Sequence, residues 1–248
     1  MGQPTVLVVR PDGRFSDVLR KNGCEVINLE LITTEEVSDL SELDAAIHRI
    51  DLYDGIFLTS PVAAEIFLSH LKSESRSFEG KVYVLGKRIK TALEGSGLNV
   101  VSNAAANTAE ELINAFDRAE FAGKDLLFIR GDLSVRTIPL LLGDIARVDE
   151  LVVYKTIETA PENSVIENVT GRLNAGGIGW GCFFSPSGVD SFMTHFGGSE
   201  VDRVRAAAIG ETTAKRAENA GLDVVFVSKR ANEEDFAAGF AAYIKNIE

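Results

Sequence analysis

A chain of 248 residues is long enough for one large domain or two ordinary ones, and its 45% hydrophobic and 25% charged residues are the mix of a soluble globular protein. The formal net charge of −12 argues against non-specific nucleic-acid binding, which needs a basic surface. It leaves room for an anionic small ligand, which responds to the field of its own cleft. No apolar run reaches the roughly 18 residues needed to cross a membrane, so neither nucleic acid nor membrane is expected as a partner.

The opening "MGQPTVLVVRPDG" lacks a basic leader and cleavage site, so no secretory signal is expected. Within it, "TVLVVRP" is a short apolar run suited to a strand buried on both faces. A helix is expected over Asp12–Lys21, stopped by Asn22-Gly23, and then a second strand, "CEVINLEL". "YDGIFLTSP" reads as another buried strand running into the helix "VAAEIFLSHLK". "KVYVLG" and "GLNVVS" flank one more helix. "NTAEELINAFDRA" is an amphipathic helix with Leu112, Ile113 and Phe116 on one stripe. "DLLFIRG" and "RVDELVVYKT" are the next strands. The two cysteines, Cys24 and Cys182, lie in or beside expected strands and are too few for a disulfide framework. Buried reduced thiols in a cytoplasmic protein follow. His48, His70 and His195 are scattered singly without metal-ligand spacing, and no metal is expected.

The second half repeats the first. "VYVLGKRIKTALEGSGLNVV" and "AAAIGETTAKRAENAGLDVV" set Gly86 against Gly210 and Gly97 against Gly221, both 124 residues apart. "YDGIFLTSPVAAEIF" matches "GWGCFFSPSGVDSFMTHF", aligning Ser60 with Ser185, and "TVLVVR" finds a weaker echo in "DLLFIR", aligning Arg10 with Arg130. Alternating strands and helices imply parallel sheets covered on both faces, and the duplication implies two of them. The expected class is therefore α/β, with two similar domains, each a parallel sheet flanked by helices. Two strands precede the first copy of the Ser-Pro unit, whereas their counterparts lie between the copies. The N-terminal pair can complete the sheet built from the C-terminal half. That gives a discontinuous domain, residues 1–33 plus 158–248, an inserted domain, 36–153, and two crossings of the chain between them, near "LELITTE" and "VVYKTIETAPE". A simple division near residue 124 is the alternative.

Ligands of open parallel sheets bind at the carboxyl ends of the strands, beside helix starts. The candidate loops are those at Arg10, Ser60, Gly86-Lys87, Arg130-Gly131, Ser185-Pro186-Ser187 and Gly210-Glu211-Thr212-Thr213. Their hydroxyls either cap the following helix or join free backbone N–H groups in binding anionic groups in a shared cleft. The nucleotide and nucleophile signatures are missing: "GGIGWG" has the wrong spacing for a dinucleotide loop, and "SPSG" has no glycine before its first serine. No cofactor is expected.

Taken in order, "VLVVRP…LRKNGCEVINLELI", "YDGIFLTSP", "VVYKT", "FFSPSGVDSF", "AAIGETTAKRAENAGLDVV" and "ANEEDFAAGF" resemble the uroporphyrinogen-III synthase family over nearly the whole chain. The resemblance implies two α/β domains joined by a two-stranded connection, the first built from both chain ends, which favours the discontinuous division. It implies a cofactor-free lyase that closes hydroxymethylbilane into uroporphyrinogen III with inversion of ring D and loss of water. The partner implied is this small polycarboxylate, and a monomer is expected. Tyr154 matches a tyrosine that the family turns toward the substrate, where its phenol can donate to the departing hydroxyl; an ordinary strand tyrosine is the alternative. Thr212 and Thr213 match the family's G-x-T-T pair, with plain helix capping as the alternative. Arg10 and Arg130 are the charged candidates, each equally suited to a structural ion pair. Lys87-Arg88-Ile89 departs from the small polar residues or threonine of some relatives, so Lys87 replaces a hydroxyl contact with a charged one. The competing reading is a two-domain clamp that binds a small anionic ligand without transforming it.

Overall fold

All four residues of Thr5–Val8 are buried, and in the computed structural model, which describes residues 3–247, they form β1 inside a parallel sheet. Val6 and Val8 pack with Phe15, Leu19, Phe236 and Phe240 on one face, and Leu7 packs with Val169, Leu173 and Phe192 on the other. A strand with two apolar faces has no wet side, hence its unbroken apolar text. Helix α1 (Arg14–Lys21) follows and stops at Gly23, whose φ of +89° is the left-handed conformation that ends a helix cheaply only in glycine. Strand β2 (Glu25–Asn28) lies parallel to β1. The single strand expected over "CEVINLEL" is shorter than that: it ends at Asn28, Leu29 and Leu31 turn into the core, and the chain enters β3 (Ile32–Glu36) of the other sheet.

The chain then builds α2 (Ser41–His48), β4 (Gly55–Leu58), α3 (Pro61–Ser73), β5 (Lys81–Val84), α4 (Lys87–Ala92) and β6 (Asn99–Ser102). After these come α5 (Ala109–Asn114), β7 (Asp125–Gly131), α6 (Thr137–Leu142) and the long β8 (Arg147–Glu158). The strand order is β3-β8-β7-β4-β5-β6, with β8, β7, β4, β5 and β6 parallel. Ile56 and Leu58 face the α2–α3 side, while Phe57 faces the α5–α6 side and stacks on Tyr83 at 4.7 Å. The helix expected over "NTAEELINAFDRA" is broken after Asn114, because Asp117 accepts from Ala119 N and starts a 3-10 turn, Arg118–Phe121. The break lets Phe116 and Phe121 both reach Tyr83.

The remaining chain supplies α7 (Asn163–Asn174), β9 (Trp180–Phe183), α8 (Pro186–Phe196), β10 (Arg205–Ala208), α9 (Glu211–Asn219), β11 (Asp223–Val227) and α10 (Glu233–Ile247). Its strands join the two from the start of the chain in the order β11-β10-β9-β1-β2, every pair parallel. Contacts divide the chain into one unit of Met1–Thr33 with Glu158–Glu248 and another of Thr34–Ile157. Read from the same side, β2-β1-β9-β10-β11 and β8-β7-β4-β5-β6 repeat one plan, so aligned residues of the duplicated text occupy matching places in the two sheets. Among the described residues, no helix is long and apolar enough to cross a membrane.

Candidate active site

Because the strands of each sheet other than β3 run parallel, their carboxyl ends share one edge, and the sequence candidates sort onto two such edges. The unit of residues 34–157 carries Ser60, Gly86, Lys87, Arg130, Gly131 and Tyr154. The other unit carries Arg10, Ser185, Ser187, Gly210, Thr212 and Thr213.

Ser60 is the N-cap of α3. Its Oγ accepts from Ala63 N at 3.5 Å, and Pro61 follows at the first helical position with its φ already set. The same Oγ accepts from the Tyr154 hydroxyl at 2.9 Å. Tyr154 reaches it through an irregularity in the sheet. From Asp125↔Arg147 to Arg130↔Val152 the β7–β8 register is even; it then slips by one so that Gly131 faces Tyr154. An extra residue on one strand re-aims the side chains beyond it. The half-buried Tyr154 ring packs over Gly131, and its carbonyl accepts from Asp132 N at 3.1 Å.

The turn after β7 is tied to β8. Asp132 Oδ1 accepts from Leu133 N and from Thr156 N, at 2.8 and 3.0 Å, and Ser134 Oγ accepts from Gly131 N at 3.1 Å. Arg130 does not face solvent freely: it donates to Glu150 Oε2 and to the carbonyls of Gly131 and Asp132. Arg136, which the sequence reading passed over, donates to both oxygens of the same carboxylate. That bond first, and the charge of Arg130 with it, holds the Glu150 carboxyl below its ordinary range. Two guanidiniums on one carboxylate leave the cluster a single net positive charge, with Arg136 its exposed member, 63% accessible. On the neighbouring loop Gly86, at φ +84°, leads into α4 with no side-chain cap, and Lys87 and Arg88 are exposed. Among the described residues Lys87 makes no ion pair.

On the other edge, Ser185 caps α8 through Gly188 N at 3.1 Å, and its Oγ lies 3.1 Å from that of Ser187. Arg10 lies over the Phe184 ring at 4.5 Å and pairs with Glu233 at 3.1 Å. Glu233 also accepts from Phe15 N, so a carboxylate of α10 caps α1, whose own N-cap is Gly13. Gly210 is the N-cap of α9, and no side chain caps that helix. The capping alternative for Thr212 and Thr213 is therefore set aside: Thr212 is exposed, and Thr213, only 3% accessible, sits in the first turn without closing it. The first-turn N–H groups of α9 remain open to an acceptor, with Glu211 as the acidic neighbour opposing a second anion.

The sequence signals of the residues it missed were local. Gly, Asp and Ser directly after a strand, as in "RGDLS", are turn-forming chemistry. Glu150 and Glu233 carried no signal, since their partners are distant in sequence. Cys182 is fully buried, burial pushes its thiol well up, and both cysteines are unbridged.

Two repeated α/β units, each presenting hydroxyls and helix starts at the carboxyl edge of its parallel strands, define a two-domain open-sheet α/β protein. The family model for uroporphyrinogen-III synthase HemD matches residues 13–238, so the chain belongs to the uroporphyrinogen-III synthase family. A uroporphyrinogen-III synthase of Chlorobaculum parvum is 29% identical over 248 aligned residues, covering 97% of this chain and 99% of that protein. A uroporphyrinogen III synthase structure from Thermus thermophilus superposes with a TM-score of 0.65 at 15% identity, over 98% of this chain and 99% of that one. One from Helicobacter pylori gives 0.63 at 16% identity, over 97% and 99%.

Proposed function

We propose that this chain closes hydroxymethylbilane into uroporphyrinogen III, inverting ring D and releasing water. Within a chain of this family, the observation that carries the reading is the Tyr154 phenol, held on Ser60 at the carboxyl edge beside a bulged strand. The hydroxymethyl oxygen of the substrate replaces Ser60 as acceptor and leaves as water with a proton from Tyr154, giving an azafulvene. Ring D attacks it through its substituted carbon, forming a spiro intermediate that fragments and recloses at the free position. The proton lost there balances the one consumed. Closure in solution gives the unreversed isomer, so the protein's main contribution is orientation.

Eight substrate carboxylates meet a chain of net charge −12, so their contacts must be local. The open first turn of α9 with Thr212 and Thr213, the Gly86 turn with Lys87, and the hydroxyls of Ser185 and Ser187 are the proposed carboxylate contacts. Arg136 adds a cation at the Tyr154 edge. Arg10 and Arg130 contact substrate only by exchanging Glu233 or Glu150 for a substrate carboxylate. Cys182, buried and without a disulfide, supports a cytoplasmic setting, and the self-repelling surface supports a monomer; light scattering on the purified chain checks the latter.

The test is to supply hydroxymethylbilane and separate the uroporphyrinogen isomers. Accumulation of type III above an enzyme-free control is expected. The type I isomer alone overturns the proposal.

A further inference from the structure

Gly131 stands where no side chain fits. A Cβ there would lie 2.3 Å from Cζ, 2.5 Å from Cε2 and 2.7 Å from the hydroxyl oxygen of Tyr154. Its φ is not in the left-handed region, so the demand for glycine is one of space and not of conformation. The ring cannot simply swing aside. Its hydroxyl is bonded to Ser60, its carbonyl to Asp132 N, and its body packs against the core on the α2–α3 side. Gly131 is equally fixed, through Ser134 Oγ on its N–H and Arg130 on its carbonyl. The register slip places these two residues face to face.

We infer that Gly131 is a positioning residue for Tyr154: its bare backbone is the seat on which the ring lies, and this seat sets the phenol at the edge where the reaction takes its proton. This rests on the functional reading above and gives Gly131 a part played through the tyrosine. Ser60 fixes the far end of the same ring, so helix start, phenol and strand bulge form one rigid support. Support of this kind governs rate more than binding, because a reacting group displaced by about 1 Å costs about a hundredfold.

The experiment combines turnover with a direct view of the ring. In protein labelled with 13C at tyrosine ring carbons, the four tyrosines give separate signals, and Tyr154→Phe identifies that of Tyr154. Gly131→Ala is expected to shift that signal and leave the other three in place, and to lower kcat by about a hundredfold with KM little changed. In a Tyr154→Ala background, where the ring is gone, Gly131→Ala is expected to cost nothing further. Ser60→Ala, which adds no volume, is expected to move the same signal. If Gly131→Ala alone does not fold, the double variant with Tyr154→Ala is expected to fold, since the overlap is removed. An unmoved Tyr154 signal, an equal further loss with and without the ring, or failure of the double variant to fold overturns the inference. Full turnover by Tyr154→Phe, or no uroporphyrinogen III from the unmodified chain, overturns instead the functional reading beneath it.

Discussion

Ser60 and Ser185 occupy matching places in the two sheets, yet they do different work. Ser185 closes the first turn of α8, and among the described residues its hydroxyl shares one other hydrogen bond, with Ser187. Ser185→Ala is therefore expected to lower unfolding free energy by about 1 kcal/mol, read by urea titration. Ser60 also holds the Tyr154 phenol, so Ser60→Ala adds a fall in kcat to a similar loss of stability. A second contrast separates Lys87 from Thr213. Lys87 is an exposed cation on a flexible stem, suited to attracting a carboxylate equally in ground and transition states, whereas Thr213 is fixed in the first turn of α9. Lys87→Ala is expected to raise KM with kcat kept, and Thr213→Ala to lower kcat. Steady-state kinetics giving identical effects on both constants would count against two half-sites gripping different parts of the substrate.

At the scale of elements, side chains remote in sequence tie strands to helices. Glu25 on β2 accepts two bonds from Arg172 on α7 and one from Thr5 on β1. The bond from Arg172, then that from Thr5, lowers its carboxyl from the ordinary 4.5 to about 2. A carboxyl depressed in the folded state adds stability above its ordinary value and loses it as pH falls through the folded one. The tie is thus whole above pH 4.5 and lost on acidification toward about 2. Glu25→Gln is expected to flatten that part of the Tm-against-pH curve; a slope equal to the unmodified chain's would remove the tie from the account. Because Glu25 is half exposed, the effect shrinks at high salt.

For the whole molecule, chain order and spatial order part company. Strand β1 lies between β2 and β9, so the start of the chain supplies one side of a sheet, β1 and the edge strand β2, whose other strands come from beyond residue 179. We propose that the two contact units are also the folding units. A fragment of residues 34–157 keeps five parallel strands and both apolar clusters on its sheet faces, and is expected to unfold in one cooperative transition by circular dichroism. A fragment of residues 158–248 keeps only β9–β11, with β9 as an open apolar edge, and is expected to aggregate or remain molten. Adding the peptide of residues 1–33 is expected to restore its cooperativity. Cooperative folding of 158–248 by itself would refute this division.

The sequence by itself determined the class of fold, the doubling and the edge loops, because these are local: apolar runs mark strands buried on both faces, and Gly, Ser, Pro and Thr mark the turns after them. It also carried the family resemblance through Tyr154, the Ser-Pro starts and Gly210-Glu211-Thr212-Thr213. What the tertiary structure decided were pairings between distant segments. That Arg130 turns onto Glu150 and Arg10 onto Glu233, that α9 is left uncapped, and that Gly131 must be bare beneath Tyr154 each depend on a neighbour brought in by folding. Such contacts leave no periodic trace in the chain. The register slip between β7 and β8 is of the same kind, one residue in a strand that otherwise reads as uniform, fixed by how two strands pack and by nothing either spells alone.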